Sequence, residues 1–314
     1  MSNTRIRVGM STPWDLWACS PDVQATKLGE IADAGVNHLF TADHVSFHGG
    51  HGADAIVEMA AAGGMEPRLG LYIGVYLLAL RHPLVAARQI GSFAQTAPGR
   101  VTIGVGVGGE DRHEFEVCEV DPSTRGKRTD AALSIVRRLL DGETVDGDGT
   151  HFRFSQAQIR PTPKPRVPFV IGGRSPAALA RTAQLGDGWL AAWCSLDRFQ
   201  SGVDQIKTLA SEHGRDETDW QHGLQIWLGV GDSPEEAARF VGPRMEAFYQ
   251  VPFKAFAPYT PCGTPEQIVE ILAGYVDAGA STLNLTPVGA SRHDELEAIS
   301  EIRRLLASRY PAQP

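Results

Sequence analysis

Eight apolar segments recur along this chain, and each is followed by a stretch with helical character. That alternation limits the fold more than any other feature. The strand-like segments are residues 6–10, 36–41, 69–78, 100–107, 167–171, 189–192, 224–230 and 282–285. Helix signals lie between them. Ser20-Pro21 supplies a capping hydroxyl and a proline at the first helical position, and Leu28, Ile31, Ala32 and Gly35 follow at helical spacing. Gly35 is a good terminator. Pro83 opens another helix, residues 126–140 read as a third, and Ser175-Pro176 caps a fourth that Gly186 ends. Thr264-Pro265-Glu266-Gln267 is a capping box opening a helix through Val276, and a last helix runs to about residue 308.

Strands that are apolar throughout, rather than alternating, are buried on both faces, which is the condition of a parallel sheet. An open doubly wound sheet meets the same pattern. Eight regular units favour closure, so the expected fold class is α/β, a (β/α)8 TIM barrel forming one domain over residues 1–314, a length ordinary for such a barrel. Two stretches depart from the alternation. Residues 143–160 carry Asp146-Gly147-Asp148-Gly149 between short β-like pieces and read as a hairpin inserted after helix four. Residues 242–262, in the seventh βα unit, are rich in aromatic residues and proline, and form a candidate lid.

The formal net charge of −8 leaves no basic face for nucleic acid. No apolar run reaches the roughly 18 residues of a membrane span. The first residues pass directly into a strand pattern without a signal-peptide core. Cys19, Cys118, Cys194 and Cys262 are scattered and form no CxxC pair, as expected of free thiols in a reducing cytoplasm.

Active sites of α/β barrels are built at the C-terminal ends of the strands, and three segments there carry chemistry. After the second strand come Asp43 and His44, then His48 and His51 on a glycine-rich stretch that lacks the spacing and fourth ligand of a metal site. His44 is either a proton-handling group or a structural hydrogen-bonding histidine. Gly104-x-Gly106-x-x-Gly109 matches the dinucleotide fingerprint formally, but no tight helix or ribose-binding acid follows, so the glycines read as room for a flat ring or its tail. Gly172-Gly173-Arg174-Ser175 ends a strand and begins a helix. Such N–H groups beside an arginine make a phosphate site, or else a well-capped helix with an exposed cation. Trp14, Trp17 and Trp193 sit near strand ends as ring walls or as packing. No GxSxG elbow is present to support a hydrolase.

Taken together, these segments resemble the luciferase-like monooxygenase family. Residues 171–189, Asp43-His44, Leu80-Arg81-His82-Pro83, Gly104 to Gly109 with Glu114-Phe115-Glu116, Arg125-Gly126-Lys127-Arg128, and Gly263-Thr264-Pro265-Glu266 with Ala278-Gly279-Ala280 match its order over nearly the whole chain. The resemblance is closer to the branch that uses coenzyme F420. It implies a barrel with F420, or alternatively FMN, at the strand C-termini. The implied cofactor contacts are Asp43, Gly74, Val75 (flanking a non-proline cis peptide), Gly106, Val107, Gly108, Gly172, Gly173, Arg174, Ser175 and Ala192. It also implies His44 facing the reacting carbon of the ring, with Asp43 and Glu110 orienting it or completing a proton relay. Ser195 stands where sugar-phosphate-oxidising members place a lysine, which argues against that substrate. The implied reaction is hydride transfer between F420 and a small organic substrate. The alternative is FMN-dependent monooxygenation fed by a partner flavin reductase, and a flavin carrier without turnover is a third reading. The resemblance further implies a cytoplasmic homodimer.

Overall fold

A computed structural model describes residues 6–109 and 111–311. In chain order the first elements are β1 (Arg7–Ser11), α1 (Pro21–Asp33), β2 (His38–Thr41), β3 (His44–Phe47), β4 (His51–Ala53), α2 (Ala55–Met65), β5 (Gly70–Leu77), α3 (Pro83–Thr96), β6 (Val101–Gly106), α4 (Arg112–Val117) and α5 (Arg125–Leu140). They continue with β7 (Phe169–Gly172), α6 (Pro176–Leu185), β8 (Gly188–Ala192), α7 (Leu196–Ser211), β9 (Gly223–Val230), α8 (Pro234–Tyr249), β10 (Cys262–Gly263), α9 (Pro265–Asp277), β11 (Thr282–Val288) and α10 (Arg292–Arg309). The eight expected strands are β1, β2, β5, β6, β7, β8, β9 and β11. No described helix is long and apolar enough to cross a membrane.

The described residues fall into two compact units. The first draws on Met1–Phe40, Trp189–Thr208 and Asp219–Pro314. Its strands run β9-β11-β1-β2, with β8 paired to the start of β9 and β10 to its end, every pairing parallel. All seven residues of β11 are buried, as expected where side chains on both faces leave water. A polar row crosses this apolar sheet. Gly9 is in register with both His38 and Asn284, and Asn284 is in register with Gln225.

The second unit comprises Thr41–Gly188 and Leu209–Thr218. Its parallel strands run β5-β6-β7. The peptide bond Gly74–Val75 in β5 is cis, and the β5–β6 register shifts between Ile73 and Tyr76. Val75 is the one residue of β5 that is not buried.

Several local details differ from the sequence reading. Residues 44–53 are a small antiparallel hairpin, β3 and β4, rather than an irregular glycine-rich loop. His48, Gly49 and Gly50 all take positive φ (38°, 86° and 95°), and that left-handed run turns the chain. The aromatic segment after residue 242 begins inside a helix. α8 carries Pro243 internally and runs to Tyr249, where Gln250 is left-handed, and short 3-10 turns come next at Phe253–Ala255 and Ala257–Tyr259. At residues 143–160, Val145 bridges Ala157 in antiparallel fashion and Gly147 N–H donates to Phe154 at 2.9 Å.

Candidate active site

Asp43 lies just past β2 and is completely buried, at 0% exposure. Its carboxylate accepts from Leu77 N–H at 3.0 Å, Ala55 N–H at 3.3 Å and the Arg81 guanidinium at 2.7 and 2.8 Å. Burial pushes its pKa up, while Arg81 and the two backbone donors pull it down. With only donors around both oxygens, the anion is the satisfied form. The Ala55 contact also sets this anion at the N-terminus of α2, which the helix dipole favours. Arg81 lies over the Tyr76 ring, 4.4 Å from its centroid. Asp43 therefore ties the end of β5 to α2. Both of its oxygens are taken up by these donors, away from solvent.

The partner of His44 is Glu114, on α4. His44 Nδ1 lies 3.2 Å from Glu114 Oε2, and Glu114 Oε1 accepts from Val45 N–H at 2.6 Å and Ser46 N–H at 3.2 Å. A carboxylate can only accept here, so Nδ1 carries the proton and Nε2 of the neutral ring carries the lone pair. Burial works to raise the Glu114 pKa, but His44 and the Val45 and Ser46 N–H groups together hold it below the usual carboxylate range. The His44 side chain stays 18% exposed while that of Glu114 is 2% exposed. The imidazole stacks on Phe47, with centroids 4.1 Å apart. Asp111 adds a second tie by accepting from His48 N–H at 2.8 Å and His113 N–H at 2.9 Å. The result is a histidine held by a buried carboxylate with its other nitrogen left for chemistry.

Val75 accounts for two of the glycines, and the Ile73 carbonyl for a third. A Cβ on Gly106 would lie 2.3 Å from Val75 Cγ2, one on Gly172 would lie 2.9 Å from Val75 Cγ1, and one on Gly104 would meet Ile73 O at 2.4 Å and Val75 Cγ1 at 3.1 Å. A side chain at these glycines would thus collide with Val75 or with the Ile73 carbonyl. Gly108 (φ 63°) and Gly109 (φ 113°) turn the chain in the left-handed region, tucked against Phe115 and Arg125.

Gly172 ends β7, and residues 173–177 are exposed where α6 begins. Gly173 takes φ 116°, and the Ser175 hydroxyl accepts from Ala178 N–H at 3.2 Å as the N-cap. The exposed start of a ten-residue helix, with Arg174 just before it, fits the phosphate end of a nucleotide-like cofactor. The half-buried Val75, with Gly106 and Gly172 against it, fits the face of a flat ring. In the other unit, Ala192 ends β8 and Ser195 caps α7 by accepting from Arg198 N–H. Val107, just past β6, is half-buried. Glu110 lies outside the described residues. Among the described residues no group of three or more His, Cys, Asp or Glu is placed to hold a metal.

The model of the luciferase-like monooxygenase family matches residues 24–259. The chain belongs to that family. An uncharacterized protein of Mycobacterium tuberculosis is 32% identical over 162 residues, 52% of this chain and 56% of that protein, so the match spans little more than half of that relative. The F420-dependent glucose-6-phosphate dehydrogenase of Nocardia farcinica is 27% identical over 321 residues, covering 91% of this chain and 94% of that one. Among solved structures, an F420-dependent secondary alcohol dehydrogenase in complex with an F420–acetone adduct superposes with a TM-score of 0.80 at 18% identity, covering 96% of this chain and 98% of that one. The oxygenating constituent of 3,6-diketocamphane monooxygenase from Pseudomonas putida, in complex with FMN, gives 0.76 at 14% identity, covering 98% and 99%. This luciferase-like chain has the (β/α)8 barrel fold.

Proposed function

We propose that this luciferase-like chain transfers hydride between coenzyme F420 and a small alcohol or ketone, with His44 handling the proton. The observation that carries the reading is the His44–Glu114 pair, a base held in one tautomer with its second nitrogen available. A bound deazaflavin would supply two-electron hydride chemistry at a ring carbon. Val75 would support one face of the ring, and the backbone of residues 172–175 with Arg174 would hold the phosphate tail. When an alcohol is oxidised, His44 Nε2 takes the hydroxyl proton, and the Glu114 carboxylate stabilises the imidazolium that forms. In the reverse direction the same nitrogen returns the proton. Such a base contributes roughly 10²–10⁴-fold. The F420-dependent Nocardia farcinica relative, aligned over nearly the full chain, supports F420 as the cofactor.

FMN-dependent monooxygenation with a partner reductase is the second reading, supported by the monooxygenase family to which the chain belongs. Parallel titrations with F420 and FMN, followed by tryptophan quenching, separate the two. Micromolar F420 binding, with turnover of an alcohol or ketone that His44→Ala abolishes while sparing cofactor binding, is the expected result. Tight FMN binding with oxygen consumption on adding reduced FMN would move the chain to the second reading.

A further inference from the structure

A cavity of about 340 Å³ opens in the first unit at the C-terminal ends of β1 and β11. That volume suits a single-ring ligand with a short substituent. Its apolar side is formed by Met10, Pro13, Trp14 and Pro287. Trp14 is 60% exposed, yet its ring is fixed in place, edge-on to Phe248 at 5.1 Å and tilted to Trp227 at 5.9 Å between centroids. A large aromatic face held open to solvent on a rigid backing is a contact surface that lacks its second layer.

Three cations, Lys27, Arg244 and Arg292, line the cavity against two acids, Asp15 and Glu295. Lys27 is committed to the Asp15 carboxylate. Arg292 donates to Lys27 O at 3.0 Å and pairs with Glu30 at 3.4 Å. Arg244, exposed on α8, makes no hydrogen bond or salt bridge among the described residues, although Glu295 shares the cavity. Glu295 accepts from Gly289 N–H at 3.4 Å, and burial pushes its pKa up while the Arg244 and Arg292 charges pull it down. The cavity of this chain of net charge −8 is thus lined by an exposed guanidinium that makes no hydrogen bond or salt bridge among the described residues and by an indole that is 60% exposed.

We infer that this cavity binds a small aromatic carboxylate, its ring stacked on Trp14 and its carboxylate paired with Arg244. Arginine matches a carboxylate bidentately, and such charge-assisted bonds are the strong ones. The site uses no residue assigned to the cofactor and does not depend on which cofactor is bound.

The test is calorimetric titration of the full chain, without cofactor, using benzoate, benzyl alcohol and inorganic phosphate as probes. Benzoate is expected to bind saturably, with benzyl alcohol and phosphate each at least about tenfold weaker. Arg244→Gln and Trp14→Ala should each weaken benzoate by about tenfold or more, and Arg239→Gln, on the same helix but outside the cavity, should not. Equal binding of benzyl alcohol would remove the role of Arg244, and equal binding of phosphate would remove that of Trp14. Unchanged benzoate affinity in Arg244→Gln would overturn the site. F420 titrated into the same samples reads the cofactor assignment separately, so failure of one is distinguishable from failure of the other.

Discussion

His38 Nε2 lies 2.7 Å from Asn284 Oδ1, and the bond crosses Gly9, the residue in register with both. A Cβ at Gly9 would lie 2.1 Å from that nitrogen, so only glycine lets the imidazole pass over β1. Asn284 in turn donates to Gln225 at 3.2 Å, which fixes the orientation of its amide. One polar layer is thereby threaded through an otherwise apolar sheet.

This burial has a pH consequence. Burial, with the nearby Arg7 charge, lowers the His38 pKa from 6.5 to about 3, and burial lowers that of His222 to about 4. Both groups are neutral in the fold and become protonated more readily once unfolded. The stability they confer is complete above pH about 6.5 and is lost progressively as pH falls from there to the folded values. Thermal midpoints measured from pH 8 to pH 4 should be flat at first and then fall, and His38→Gln should flatten the acid side. A midpoint that rises on acidification would contradict the assignment.

Arg81→Ala leaves the Asp43 charge buried without its counter-ion. A loss of about 3–5 kcal/mol in denaturant unfolding is expected, and Asp43→Asn in the same background should restore part of it. A loss under about 1 kcal/mol would mean that water reaches Asp43 readily.

Gly106→Ala brings a methyl against Val75 and should cost about 1–3 kcal/mol through overpacking. Val75→Ala removes the obstacle, so the double variant should be more stable than the sum of the two single effects by about 1 kcal/mol. Strict additivity would show that something other than Val75 demands glycine there.

Glu114→Gln keeps an oxygen for the Val45 and Ser46 N–H groups but can turn an NH2 toward His44, moving the ring proton to Nε2. In oxidation assays kcat should drop by about 10²-fold with KM little changed, while F420 affinity is retained. A change in KM alone would limit Glu114 to shaping the site.

The strands, their parallel pairing and most helix starts were legible in the sequence because burial on both faces and capping chemistry are local properties. Ser175-Pro176 and Thr264-Pro265 each open a helix where the spacing placed one. The hairpin at residues 44–53 was not legible, since its turn depends on a left-handed His48 that composition does not reveal. α2 was missed as well, because Ala55–Met65 is too uniformly apolar and small to show a period, and its true start is the Asp54 cap.

At the site, the sequence alone singled out His44, the glycine-rich strand ends and the loop at residues 172–175, each being a residue type with a constrained role at a predictable end of a strand. Partnership was decided only in three dimensions. Asp43 adjoins His44 in the chain, yet successive residues of extended backbone point to opposite sides, so Asp43 turns inward to Arg81 while His44 meets a carboxylate 70 positions away. Gly106 and Gly172 answer to Val75 on β5, Gly104 to the Ile73 carbonyl on the same strand, and Gly9 to a histidine on β2. Local chemistry sets which conformations a residue can take, whereas close packing sets which side chains must share a space, and that second condition exists only once the strands have been laid side by side.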